Sequence, residues 1–328
     1  KVILNMSQFR TIVHVDPLPS PLQVESKVYF AGSCFAENMA AKMQQLRMEI
    51  LLNPFGIIYN PIALAEMLHM QKTNTQIPVS DIFSANGVYQ NWQFHSKLGD
   101  VNPETALQNM QQAVLKGHQF LPTTNYLVIT FGTAFVYELP DRKIVANNHK
   151  MVAGNFKKRL LSVEEISLAW NTVLAELKSI NPNLIVIFTI SPVRHLRDGV
   201  VENNLSKATL IQAVHQIIAS NAMCHYFPAY ELMMDDLRDY RFYAADMLHP
   251  NQVAIDYIWE RFASAYTSKD FGDFQLAMEV LNAAKAHQPF HPNSEAHLLF
   301  KQQQLEKIKK FQITWSNIPM DDMIQHFS

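Results

Sequence analysis

Two stretches of the chain, NYLVITF at 125–131 and NLIVIFTI at 183–190, are almost unbroken apolar runs. A strand with one wet face alternates apolar and polar residues. One that reads apolar throughout must be covered on both faces, as a central strand of a parallel sheet packed between helices is. Three shorter runs, at 28–31, 48–52 and 223–227, join 126–131 and 184–190 to give five strands. Helical periodicity fills the intervals at 35–46, 61–71, 103–118, 162–180 and 203–220, with a last sheet helix over 250–267. This alternation predicts an α/β fold with a five-stranded parallel sheet. Right-handed crossovers and a switch point at the first strand give the order 2-1-3-4-5. FVYELPDRKIVANN (135–148), two short extended runs around a Pro-Asp turn, predicts a β-hairpin inserted after the third strand. Beyond residue 270 the strand pattern stops and EAHLLFKQQQLEKIKKF carries a helical apolar stripe. The organisation expected is a main domain over 1–269 with a helical appendage over 270–328 packed on it.

Composition narrows the function classes. Of 328 residues, 48% are hydrophobic and 17% charged, enough to bury a large core, and the formal net charge of −2 with dispersed basic residues argues against a nucleic-acid partner. No apolar stretch approaches the roughly 18 residues that span a bilayer, and the opening KVILNMSQFR lacks the pattern of a secretory leader. A cytoplasmic setting is expected. The two cysteines, Cys34 and Cys224, cannot build a disulfide framework and have no neighbours at metal-ligand spacing, so neither metal nor cofactor is expected.

In a parallel sheet, the loops leaving the carboxyl ends of the strands share one rim, where ligands bind. Here they hold Gly32-Ser33-Cys34, Asn53-Pro54-Phe55-Gly56, Gly132-Thr133-Ala134, Ser191-Pro192-Val193-Arg194-His195 and, before the last sheet helix, Asp246-Met247-Leu248-His249-Pro250. A histidine base needs its second ring nitrogen held by a carboxylate, and Asp246, three residues before His249, can supply that locally; alternatively His249 only caps the helix. Cys34 or Ser33 is the candidate nucleophile, with Ser33 as cap and Cys34 as a small buried hydrophobe the structural alternative. A thiol at a helix N-terminus beside a histidine is expected to ionise readily. Arg194 and His195 are placed to bind a carboxylate or phosphate on a substrate, or else Arg194 pairs with Asp198 and His195 fills the rim. Trp92, Phe94, His95 and Tyr137 form either an aromatic wall for a sugar or acyl group or part of the core.

AGSCFAEN, NPFGIIYNP, TFGTAFVYE, VANNHK, SPVRHLRDG and DYRFYAADMLHPN, in that order over residues 30–262, resemble the GSCFA family, which is grouped with the SGNH, or GDSL, hydrolases. The resemblance implies a flavodoxin-like three-layer sandwich and acyl-transfer chemistry, without naming a substrate. Aligned on Gly32, it puts Ser33 where the superfamily has aspartate and Cys34 where it has the serine nucleophile. It also implies an oxyanion hole, but the third loop has Ala134 where the superfamily carries an asparagine donor. The backbone amides of Cys34 and the Gly56 region, the Gly132 loop, and Asn147, Asn148 or His149 reaching back from the hairpin are the replacements on offer. Three functions follow from these residues. They are a hydrolase of an ester or thioester, an acyltransferase on a glycan or small metabolite, and a non-catalytic binding module on the same fold.

Overall fold

The computed structural model describes residues 10–328, so the absence of a leader pattern read at the first nine residues lies outside the described part. The chain runs β1 (Val28–Gly32), α1 (Cys34–Gln45), β2 (Ile50–Leu52), α2 (Pro61–Thr73), β3 (Phe83–Ala85), β4 (Val88–Gln90), α3 (Pro103–Phe120), β5 (Tyr126–Phe131), β6 (Phe135–Glu138), β7 (Lys157–Leu160), α4 (Val163–Ile180), β8 (Ile185–Ile190), α5 (Val200–Ser220), β9 (Cys224–Phe227), a helical turn α6 (Ala229–Glu231), α7 (Gln252–Tyr266), α8 (Lys269–Ala286), α9 (Glu295–Thr314) and α10 (Asp321–Phe327). The main sheet is five-stranded and wholly parallel, ordered β2-β1-β5-β8-β9, which is the order expected for the five apolar runs.

Strand alternation divides the core between two faces. Leu127, Ile129 and Phe131 of β5, with Val186, Phe188 and Ile190 of β8, pack under α2, α3, α4 and α5. Tyr126, Val128 and Ile187 point the other way, into a layer shared with Phe35, Met39 and Met43 of α1 and Ile258 and Phe262 of α7. Both faces of the central strands are therefore dry, the reason for their continuous apolar reading. The same second layer takes in Phe271, Phe274, Met278 and Leu281 of α8, Ile308 and Phe311 of α9, and Met323 and Phe327 of α10, so the C-terminal helices complete that face. Asp322 at the start of α10 receives both Arg47 guanidinium nitrogens, at 2.6 and 2.8 Å, and Lys285 at 2.6 Å.

The inserted hairpin differs from the expectation. The Pro-Asp turn forms, with Arg142 N–H on the Leu139 carbonyl at 2.8 Å, but residues 143–146 return only as a single bridge, Ile144 to Glu138. The ladder partner of β6 is instead β7, which begins fifteen residues beyond Arg142 at the end of the turn and pairs Phe135↔Leu160 and Val136↔Arg159 just before α4. A second ribbon, β3–β4, turns on Asn86-Gly87, both at positive φ of 54° and 78°. Asn-Gly is the sequence that tolerates such a turn. Among the described residues, no helix is long and apolar enough to cross a membrane.

Candidate functional site

The first rim loop is fixed by backbone. Gly32 closes β1 at φ 133°, and a Cβ there would lie 2.1 Å from the Thr130 carbonyl oxygen, so the position admits glycine alone. Its N–H donates to Asn53 Oδ1 at 2.9 Å and the next N–H, of Ser33, donates to Thr130 O at 3.2 Å. Ser33 is 1% exposed and caps α1, its Oγ accepting from Phe35 N–H at 3.3 Å. Cys34 is the first residue of α1, half-buried, with a free thiol. The local geometry gives the cap to the serine and not to the cysteine.

Electrostatics correct one expectation. The start of a helix favours a thiolate, and the N–H groups of Cys34 and Phe35 do pull the thiol down, but burial, with the carboxylate of Glu37 one turn on, outweighs them and holds Cys34 above its ordinary value. The resting group is a thiol that needs a proton acceptor. Cys224, buried in β9, is pushed up to about 12 by burial.

The Asp246–His249 pair forms as the spacing suggested. His249 Nδ1 lies 2.6 Å from Asp246 Oδ2, while Asp246 Oδ1 accepts the N–H groups of Leu248 at 2.9 Å and His249 at 3.0 Å. These amides, followed by the imidazole, hold the Asp246 carboxyl down to about 2. With an ionised carboxylate on Nδ1, the neutral ring carries its hydrogen there and presents Nε2 as acceptor. The tight loop that allows this bends at Met247, φ 59°. Both side chains are nearly half exposed, 47% and 46%, and among the described residues no hydrogen bond joins the ring to Cys34.

The expected oxyanion donors are mostly spent. Gly56 N–H is held by the Asn53 carbonyl at 2.7 Å inside its own turn, and Gly132 N–H by the carbonyl of Tyr59, from the loop before α2, at 2.8 Å. His149 is buried with its Nδ1 on Ser96 Oγ and its Nε2 on the Asn91 carbonyl, both at 2.9 Å, so its ring braces the wall rather than facing a ligand. Asn147 Oδ1 accepts from His149 N–H, and the rest of its side chain lines a rim cavity. The amide of Cys34, at the first position of a helix, has no intrahelical acceptor.

That cavity, about 280 Å³, lies between Tyr59, Thr133, Phe135, Tyr137, Asn147 and His195. His195 stands edge-on to Tyr59 with ring centroids 5.3 Å apart, and its Nε2 is buried without a partner among the described residues. Burial, helped by the charge of Lys207, lowers His195 to about 4, so the ring is neutral near pH 7. Arg194 does not pair with Asp198, which is taken by Lys158; its guanidinium meets Met234 Sδ at 2.9 Å and Asn204 Oδ1 at 3.4 Å. Among the described residues it has no carboxylate partner. Of the aromatic set only Tyr137 lines the cavity: Phe94 is fully buried and stacked on Phe55, and Trp92 is stacked on Phe83.

The family model for the GSCFA family matches residues 27–262, which runs from β1 into α7 and takes in every rim loop described above. The chain belongs to the GSCFA family. A second model, described as the GSCFA domain protein C-terminal domain, matches residues 278–328. No curated protein matches the chain.

In this GSCFA chain two rim residues escaped the sequence reading. Tyr59 lines the cavity, its hydroxyl raised by burial and then by Cys34 and Glu37. Lys207, on α5, is 1% exposed and its ammonium donates to the carbonyls of Gly132 at 2.8 Å and Ser191 at 2.7 Å. A signal for it existed, because Lys207 is in phase with Leu210, Val214 and Ile217 on the buried stripe of α5.

Proposed function

We propose that this protein is an acyl hydrolase in which Cys34 carries the acyl group. The observation that supports it best is the Asp246–His249 pair, formed at 2.6 Å with no partner on Nε2 among the described residues, in a chain whose half-buried free thiol opens the helix that follows β1. In this reading His249 Nε2 takes the thiol proton and Cys34 Sγ attacks the carbonyl carbon of an ester or thioester. The tetrahedral oxyanion then collapses with cleavage of the bond to the leaving group, which receives the proton from His249. Water, losing its proton to His249, attacks the Cys34 thioester; the tetrahedral intermediate expels the Cys34 sulfur, which takes that proton back from His249 as the acid is released. The Cys34 N–H is the backbone donor that remains for the oxyanion. Substrate must draw the imidazole and the thiol together, as contacts in such sites commonly tighten around the reacting group.

The small cavity lined by Tyr59, Phe135, Tyr137 and Asn147 suits one polar ring with an aromatic platform, such as a sugar or compact metabolite bearing the acyl group. The exposure of His249 favours water as acceptor over transfer to a second substrate. A panel of p-nitrophenyl esters and acyl thioesters, with intact-mass detection of trapped enzyme, tests the reading. Turnover by wild type, an acyl adduct on Cys34, no turnover by Cys34→Ala and most of it retained by Ser33→Ala are expected. Activity lost with Ser33 and kept without Cys34 would give the role to the serine, and no activity on any member would favour a binding module.

A further inference from the structure

Arg194 is a half-buried cation that meets no anion. The loop that carries it is laced to α5: the Ser191 carbonyl accepts from the Lys207 ammonium at 2.7 Å, His195 N–H donates to Asn203 Oδ1 at 2.9 Å, and the Arg194 guanidinium reaches Asn204 Oδ1 at 3.4 Å. A guanidinium has five N–H donors in a planar fork, and the other contact of this one is a thioether, Met234 Sδ at 2.9 Å, a weak acceptor. The acids nearby are engaged elsewhere. Asp198 is paired with Lys158, Asp246 with His249, and Glu231 accepts the Tyr226 hydroxyl at 2.8 Å. Asp235, next to Met234 in sequence, is exposed and forms no ion pair with Arg194 among the described residues. An arginine drawn partly out of water ordinarily finds a carboxylate or a full set of oxygen acceptors, and here it has neither.

The same sulfur takes a second strong donor. The Tyr243 hydroxyl donates to Met234 Sδ at 3.8 Å, so a guanidinium and a phenol converge on one soft, adaptable side chain. Tyr243 is held by the loop of the Asp246–His249 pair: it bridges to Pro250, the next N–H, of Ala244, donates to the His249 carbonyl at 2.7 Å, and the Tyr243 carbonyl accepts from Asn251 Nδ2 at 3.4 Å. Two donors fixed on different loops and separated by one thioether leave most of their hydrogen-bonding capacity unused. An oxyanion in place of the sulfur satisfies both, with two oxygens on the guanidinium fork and a lone pair left for the phenol.

We infer that Arg194 and Tyr243 form a binding site for a compact oxyanion, a carboxylate or a phosphate monoester, which displaces Met234 Sδ and ties the loop after β8 to the loop that carries His249. The oxyanion is the charged end of the acyl substrate, an assignment that rests on the acyl-hydrolase reading, and Arg194 then selects anionic substrates over neutral ones. The site itself stands on contacts that no step of that reaction uses.

Phenylglyoxal modification of arginines, mapped by peptide mass spectrometry, tests the site without turnover, so its failure is separable from that of the proposed reaction. In the intact protein near pH 8, Arg194 should be modified, and saturating inorganic phosphate or acetate should slow that modification about tenfold or more. Sodium chloride at equal ionic strength should leave the rate at Arg194 unchanged, and neither anion should protect the exposed Arg142. Half-protection at the lower concentration by phosphate assigns a phosphate ester, and by acetate a carboxylate. Tyr243→Phe should raise the half-protecting concentration about threefold, and an unchanged value would remove the tyrosine from the site. An Arg194 that stays unmodified, that reacts equally with and without both anions, or that chloride protects as well would overturn the inference. A second measurement reads stability: wild type should melt higher in phosphate or acetate than in chloride at equal ionic strength, and Arg194→Met should lose that difference. The same rise in a folded Arg194→Met protein would place the anion elsewhere and refute the assignment.

Discussion

Burial of Lys207 makes the stability of this protein depend on pH in a window where most small domains are level. Its ammonium is lowered from an ordinary 10.5 to about 7, first by desolvation, and the side chain is fully enclosed. Between those two values the unfolded chain binds a proton that the folded chain does not, so stability rises with pH; it is complete above the unfolded value and lost as pH falls through the folded one. Integrated from pH 7 to pH 9, with half of the group still charged at the start, the gain is about 2 kcal/mol. The buried thiols of Cys34 and Cys224, raised by burial, act in the opposite direction from the upper part of that window, and the raised phenols of Tyr29 and Tyr226 from its top end; both are common to wild type and a Lys207 variant and cancel in the comparison. Lys207→Met removes the titration but also leaves the Gly132 and Ser191 carbonyls without their donor, a pH-independent cost on the order of 1–3 kcal/mol for each group left unsatisfied. The decisive quantity is therefore the difference in slope. Urea unfolding of wild type and variant at several pH values from 7 to 9 should show wild type gaining about 2 kcal/mol on the variant across the range. Parallel curves would mean that Lys207 keeps an ordinary pKa in the folded protein, and the argument from its burial would fail.

Gly32→Ala puts a methyl group 2.1 Å from the Thr130 carbonyl oxygen at a φ of 133°, so it should cost roughly 3 kcal/mol or more, read as a fall in melting temperature; an unchanged melting curve would refute the assignment of that turn. Iodoacetamide near neutral pH should label Cys34 well before Cys224, which is 3% exposed and held at about 12, and peptide mapping that finds the reverse order would contradict the burial described. If the acyl-hydrolase proposal holds, Asp246→Asn should lower kcat on the order of 10²-fold or more with the fold intact, because the amide no longer fixes the His249 tautomer; full activity in that variant would remove the pair from the mechanism.

What could be read from sequence was whatever neighbours along the chain encode. The apolar runs of β5 and β8 declared their double burial, the strand order followed from crossover handedness, and Asp246 met His249 because three residues of one loop separate them. The β3–β4 turn has its local signal in Asn86-Gly87 as well. Other features had no local signal. The partner of β6 had to be chosen between 143–146 and 157–160, and the folded chain pairs all four of its residues with 157–160 and bridges only Glu138 to Ile144. Whether the amides of Gly56 and Gly132 were free depended on the carbonyls of Asn53 and Tyr59 that the folded loops brought to them. The environment of Cys34 came from the depth of burial, which overrode a helix terminus that by itself favours thiolate. Lys207 is the extreme case: its acceptors lie 75 and 16 residues away in sequence, so only the closed sheet edge could show that a helix lysine is buried on two backbone carbonyls. Periodicity and turn chemistry are properties of short segments, whereas desolvation and hydrogen-bond partnership belong to the assembled molecule.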